Sequence, residues 1–450
     1  TKITEISTHV VPTDPVKNAG ILLADEFSTH SMTIKVVNTT PHIILIDAND
    51  KLATNNPESD LIAKLNTLIT YDQLKPADKT VHDKEIMDWK ERRTELIKNI
   101  SIAPDLESAV QNAPENHQKT FRNILKDFHH IFSRTDADIG LSKHFIVDLQ
   151  LKTTEKTFPK FAKPYKTDSK LSLEMDRKIN EMIQAGVLEE AISCWNSPCM
   201  LIKRTGGNFR LITNYKSHVN PQLSVPKWPV LPIRDLLHRL GQDVKSLQKS
   251  FPNEKLFFFS TDLKQGFYTL AITNSSRDIT SFIASERQIR YKRCTQGMNL
   301  SPSCFSRFVY HVFSNFECKG AKLAVYLDDS ILIAVESYVE TALRLYLERL
   351  ERNQVTLGLQ KCLWFQTKIR YLGHEISAEG IQPCSKKQQA LVKMPYPTNY
   401  KEAMRFAGSM VFYSRLHPKI ALLLQPLYTE IKNGKNFDFL LFFVTMFVIR

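Results

Sequence analysis

The chain has 450 residues, 42% hydrophobic and 24% charged, the composition of an ordinary soluble globular protein with room for two or three domains. Its only lipid-like stretch, "FLLFFVTMFVI" at 439–449, is too short for a spanning helix of ~20 residues, so membrane association is not expected. Lys and Arg outnumber Asp and Glu by 60 to 47, a net charge of +13, which favours a polyanionic partner, nucleic acid before a membrane surface.

Seven cysteines stand at 194, 199, 294, 304, 318, 362 and 384, with no Cys-x-x-Cys pair of the kind that holds zinc. Free thiols in a reducing compartment are expected. The sequence opens on Thr1 without a charged-then-apolar leader, and reads as a piece of a longer product or an incomplete gene model.

In chain order, residues 1–55 read as β-rich. "SMTIKVVN" alternates apolar and polar residues, and "PHIILIDAND" adds an apolar run ending in turn residues. Residues 56–140 read as a linker with two helices. One is "KEIMDWKERRTELIKNI"; the other carries Phe121, Ile124, Leu125, Phe128 and Phe132 at helical spacing. "SLEMDRKINEMIQAGVL" is a third amphipathic helix, with Ser172 as cap, a stripe of Met175, Ile179, Met182 and Ile183, and Gly186 just past its end. "SPCMLIKRTGGNFRLITNY" then reads as a hairpin turning at Gly206-Gly207.

Further on, "KLFFFSTDLKQGFYTLAI" is a strand running into Asp262. "SPSCFSRFVYHVFSNF" has helical spacing through 305, 308, 309, 312 and 313. "AVYLDDSILIA" is a pair of strands around Asp328-Asp329, "YVETALRLYLERLERNQ" a helix, and "IRYLGHEIS" a strand pair with a Gly-His turn. Strands and helices alternate irregularly, so the fold class is α+β.

Two adjacent carboxylates inside an apolar run need a reason, because a buried unpaired carboxylate is costly. A turn with Asp-Asp at its tip is one, since Asp favours turns. A metal site is the other. Asp262, an isolated acid at the end of another strand, bears on the choice. Three carboxylates at one sheet edge would repel one another unless divalent cations neutralised them, and such cations suit phosphoryl transfer.

Seven blocks then stand in a familiar order: "GVLEEAISCWNSPCMLIKR", "STDLKQGFYTLAI", "TQGMNLSPSCF", "YLDDSILIA", "LGLQKC", "YLGHEIS" and "YPTNYKEAMRFAGSMVFYSR". Between about 144 and 439 the chain resembles the reverse transcriptase of gypsy-type LTR retrotransposons, and more distantly the retroviral enzymes. The resemblance implies a right-hand polymerase, with fingers and palm over 141–376, a partial thumb or connection over 377–439, and an apolar tail at 440–450 unlike the family. That tail reads as an out-of-frame or intron-derived end on a copy truncated before RNase H.

By residue match, Asp262 and Asp328 would bridge two Mg²⁺ ions (Mn²⁺ could substitute), Asp329 would assist, and the Leu263 carbonyl would complete one shell. Lys361 falls where polymerases often carry a lysine that protonates pyrophosphate. Lys203, Arg204 and Arg210 would meet the triphosphate. Phe267 would exclude a ribose 2′-OH, Gln296 and Gly297 would line the dNTP pocket, Tyr326 would pack near the primer terminus, and Leu372, Gly373 and His374 correspond to the primer grip.

The implied partners are an RNA or DNA template with primer and dNTPs, and the implied location is intracellular, in a cytoplasmic particle or the nucleus. Asn214, Lys216 and Thr295 depart from the family's usual Asp, Arg and Pro. Two other readings share these residues. One is a catalytically weak or inactive nucleic-acid-binding remnant, favoured by the foreign tail; the other is a two-metal nuclease, disfavoured by the Phe267 and Gln296-Gly297 blocks.

Overall fold

A computed structural model describes residues 2–4, 21–23, 33–38, 67–152, 159–203, 209–225, 228, 231–385, 389–390, 393–395, 399–411, 419, 422, 424–425 and 427–428. The first 55 residues contribute three short strands. Lys2–Thr4 and Ile21–Leu23 both pair antiparallel with Thr33–Asn38. The strand expected within 41–50, the turn at Gly206-Gly207, Arg204 and the apolar tail lie outside the described residues.

The centre of the molecule is a four-stranded sheet ordered Ala321–Tyr326, Asp329–Val335, Leu256–Asp262, Leu363–Gln366. Its inner strands are apolar on both faces because both faces are covered. Phe257, Phe259, Leu332 and Ala334 point into a large core shared with the helices Glu115–Asp127, Ser301–Phe313 and Val339–Arg352. Leu256, Phe258, Ile331, Ile333 and Val335 point the other way, onto the helix Ile233–Ser250. The strand period of two sorts one continuous apolar run into two cores. Phe305, Phe308, Val309 and Val312 are buried as their spacing requires, with Phe313 packed at the margin.

Residues 76–127 hold three helices, Pro76–Asn99, Ala103–Gln111 and Glu115–Asp127, where two were expected. Phe121, Ile124, Leu125, Phe128 and Phe132 are all buried in the same core as the central sheet. The last two lie beyond the helix, whose apolar stripe continues into a short 3-10 turn at His129–Ile131. This segment therefore packs as part of the domain core.

The amphipathic helix spans Ser169–Gln184, and its cap is Asp168. The Asp168 carboxylate accepts from the Lys170 N–H at 3.0 Å, while Ser172, the expected cap, sits inside the first turn. Asp wins because "KTDSK" offers a strong capping carboxylate four residues earlier, which lets the helix begin at Ser169. Gly186 does close the helix, with φ +69°: its N–H donates to Ile183 and that of Val187 to Met182. That pair of bonds is the glycine-dependent end expected of "QAGV". Strand Leu188–Glu190 then joins Arg287–Tyr291 and Phe282–Ala284 in a separate sheet, and Cys199–Lys203 pairs with Phe209–Thr213 as the expected hairpin.

All seven cysteines are free. Among the described residues no helix is long and apolar enough to cross a membrane.

Candidate active site

Asp329 pairs directly with Asp262 across the two central strands, and with Tyr326 across the hairpin. The hairpin turns on Leu327 and Asp328, so the expected Asp-Asp tip is displaced by one: Asp329 opens the return strand. Leu327 carries the positive φ of +55° that a two-residue turn demands. A left-handed leucine costs about 1–3 kcal/mol, a strain tolerated where surrounding structure fixes it.

Strand alternation puts Asp262 and Asp329 on one face, and Thr261 and Ser330, one residue away from each, on the other. There Thr261 Oγ1 and Ser330 Oγ lie 2.6 Å apart, and both hydrogen-bond the buried hydroxyl of Tyr346, Ser330 at 2.8 Å. This closed hydroxyl trio locks the register that opposes the two carboxylates. The Tyr371 hydroxyl adds a donor to the Asp329 carbonyl at 3.2 Å. None of these four was singled out from sequence. The signal was there, since Thr261 and Ser330 are polar residues flanking Asp inside apolar runs.

The electrostatics are one-sided. Burial, then the charges of Asp328 and Asp262, push the Asp329 carboxyl above its usual range. Among the described residues one ammonium pairs with these carboxylates, Lys361 Nζ at 3.3 Å from Asp262 Oδ2. Gly358 donates its N–H to the Asp262 carbonyl, and Leu263 bridges Leu357, so the segment carrying Lys361 is stitched to the strand end. Among the described residues no group of three or more His, Cys, Asp and Glu side chains could hold a metal ion by itself. That does not count against Mg²⁺, which usually takes one or two carboxylates and completes its shell with water and substrate phosphate. Crowded carboxylates that the exposed Lys361 only partly offsets fit a divalent cation.

Around this cluster the other expected residues fall into groups. Phe267 stands on the short 3-10 turn Gly266–Thr269 that follows Asp262, half-buried with its ring 5.0 Å from that of Phe305. Gly266 is obligatory there, because a Cβ would lie 2.5 Å from the Phe305 ring. Gln296 and Gly297 precede the helix Ser301–Phe313. Gly297 has φ +92°, its missing Cβ would sit 2.9 Å from the Thr213 carbonyl, and its own carbonyl accepts from Asn220 at 3.0 Å. The Gln296-Gly297 turn therefore abuts the base of the hairpin at Thr213, while Lys203, exposed, and Arg210, half-buried, lie toward its other end.

Tyr326 is half-buried against the second core. Leu372 and Gly373, with φ +47° and +82°, form the two-residue turn between Lys368–Tyr371 and His374–Ser377. The turn is thus Leu-Gly, not Gly-His, because glycine takes the second positive-φ position. His374 is buried as the first residue of the return strand, and Tyr371 ties this hairpin to Asp329.

Comparison with known proteins bears on this arrangement. Residues 202–376 match the family model "Reverse transcriptase (RNA-dependent DNA polymerase)". The chain is 26% identical over 414 residues to the retrovirus-related Pol polyprotein from transposon 412 of Drosophila melanogaster, covering 90% of this chain and 29% of that relative. It is 27% identical to that from transposon opus of the same organism, over 72% of this chain and 32% of the other. A Tf2-3 transposon polyprotein of Schizosaccharomyces pombe is 22% identical, over 69% of this chain and 22% of the other. The chain thus spans under a third of the length of these relatives.

Among solved structures, a foamy viral protease-reverse transcriptase in complex with double-stranded DNA superposes with a TM-score of 0.65 at 19% identity, over 76% of this chain and 57% of that one. Another in complex with an RNA/DNA hybrid gives 0.59 at 19% identity, over 75% and 43%. The fold is that of a reverse transcriptase polymerase, residues 202–376 match the reverse transcriptase family model, and the chain is similar over most of its length to retrovirus-related Pol polyproteins from transposons.

Proposed function

We propose that the chain is an RNA-directed DNA polymerase, adding dNTPs to a primer 3′-OH on an RNA or DNA template. The observation that carries this is the direct opposition of Asp262 and Asp329 with Asp328 in the adjoining turn, a surplus of negative charge at one sheet edge. Mg²⁺ bound there would lower the pKa of the 3′-OH and neutralise charge building up on the triphosphate. In this reading Asp262 and Asp328 are the principal ligands, helped by Asp329 and the Leu263 carbonyl.

Lys361, already beside Asp262 and mostly exposed, is free to turn to the departing pyrophosphate and give it a proton. Lys203, Arg204 and Arg210 supply cationic donors to the triphosphate. Gln296 and Gly297 bound the nucleotide pocket, with the glycine allowing close backbone approach. Tyr326 and the Leu372-Gly373-His374 turn hold the primer end.

The test is extension of a labelled DNA primer on an RNA template in Mg²⁺ or Mn²⁺, with template-primer binding measured in parallel. Asp328→Ala should abolish extension and leave binding nearly intact. Extension that persists in this variant sinks the metal assignment.

Phe267 gives a second expected result. If its ring fills the space of a 2′-OH, Phe267→Ala should reduce discrimination against ribonucleotides by about 10- to 100-fold while dNTP use stays measurable. Competition between one rNTP and its dNTP reads this directly. Unchanged discrimination would return Phe267 to a packing role against Phe305.

A further inference from the structure

We infer that Asp136, in the loop between the N-terminal helices and the polymerase domain, is a positioning residue that braces the substrate-pocket turn at 263–267. The family match begins only at 202, so nothing in it assigns a role to this loop. Asp136 reaches two consecutive residues of the turn. Its carboxylate accepts from Lys264 Nζ at 2.6 Å, and its carbonyl accepts from Gln265 Nε2 at 2.7 Å.

The turn needs holding. Gln265 is left-handed, with φ +48°, a conformation that L side chains adopt only at a cost. On its inner side Gly266 lies against the Phe305 ring, and the Lys264 N–H donates to the Thr356 carbonyl. Asp136 clamps the outer side: its own side chain is 73% exposed, but the Lys264 side chain it holds is only 16% exposed. Phe267 follows directly, so the angle at which its ring enters the pocket depends on this turn.

The loop itself is anchored well enough to act as a brace. Ser133 donates its N–H to the Leu357 carbonyl at 2.9 Å. Buried Asp138 accepts from Arg93 at 2.8 Å and from the Arg134 N–H at 2.8 Å. A Cβ on Gly140 would meet the Gln354 carbonyl at 2.4 Å, which fixes how closely the loop passes that segment. Asp136 therefore pulls on Lys264 and Gln265 from a fixed point.

The first arm of the test is amide hydrogen exchange on the unliganded chain. Asp136→Ala should speed exchange in the peptide covering 264–270 by about three- to tenfold, leave the Leu256–Asp262 strand unchanged, and be largely reversed by Asp136→Glu. Unchanged exchange at 264–270 overturns the brace whether or not the chain turns over.

The second arm rests on the polymerase reading. Asp136→Ala should raise the dNTP KM by about three- to tenfold and weaken rNTP discrimination, with kcat within about threefold of wild type. Asp127→Ala removes another contact of the N-terminal helices, an exposed pair with Arg344 at 2.8 Å, and should change neither. An equal fall in kcat with KM unchanged would also overturn the brace. A wild-type chain that fails to extend any primer would count against the polymerase reading alone, since the exchange arm stands without it.

Discussion

Asp262→Asn is expected to lower the rate of nucleotide addition by about 10³- to 10⁴-fold, equivalent to about 4–5 kcal/mol of transition-state stabilisation. The amide keeps the shape of the side chain but loses the charge that would hold a cation. It also frees Lys361, whose side chain is 64% exposed and can return to water at little cost. Folding should not suffer. Like charges directly opposed on neighbouring strands are destabilising, so removing one from the Asp262–Asp329 pair should raise the melting temperature in EDTA by about 1–2 °C. Added Mg²⁺ should stabilise the wild-type chain more than the variant. Rate and stability thus move in opposite directions. A variant that loses activity because it unfolds would contradict this.

Glu85→Ala is the largest expected effect on stability. Glu85, on the helix Pro76–Asn99, pairs with Arg277 at 2.9 Å and Lys292 at 2.9 Å, and both Glu85 and Arg277 are buried. Arg277 also reaches Glu189 at 3.4 Å. Burial alone would raise the Glu85 carboxyl, but the Arg277 and Lys292 charges outweigh it and hold it below its usual range. Deleting the carboxylate leaves a buried guanidinium short of its nearest counter-charge, a change that costs about 3–5 kcal/mol.

The sign of the pH effect follows from that depressed pKa. The contribution is fully present above the unfolded carboxylate value and is lost as the pH falls through the lower folded one. Urea denaturation at neutral pH should place Glu85→Ala well below wild type, with the gap narrowing in acid as the wild-type pair is protonated. A difference under about 0.5 kcal/mol at neutral pH would mean that the helix is held by its apolar face alone.

What the sequence disclosed and what it hid divide along physical lines. Asp262 and Asp328-Asp329 stood out because a carboxylate inside an apolar run has few bland explanations. The helical stripes were legible because burial imposes a period on them: Met175, Ile179 and Met182 are buried as spaced. The turns were less so. Residue preference puts Asp-Asp at a hairpin tip, yet pairing Asp329 with Asp262 and Tyr326 forces Leu327 into the left-handed position instead. At "YLGH" a glycine was visible, but the register that decides which two residues turn was not.

Least legible were long-range polar contacts. Lys264 and Asp136 are 128 positions apart, and Glu85 and Arg277 192. Each looks like an ordinary surface charge until the chain folds. Residues 76–140 show a related limit: the helical stripe through Phe121, Ile124 and Leu125 was legible, but that it enters the main core and is not part of a linker was not.

The central claim is that Asp262, Asp328 and Asp329 make one cation-dependent polymerisation centre. Single-nucleotide incorporation under single-turnover conditions tests it most directly, with purified chain in excess over a DNA primer annealed to an RNA template and only the next correct dNTP present. A primer longer by one nucleotide is expected with Mg²⁺, none in EDTA, and incorporation slower by about 10³-fold or more from Asp262→Asn or Asp328→Asn variants that still bind the template-primer. Incorporation by either variant at the wild-type rate would contradict it.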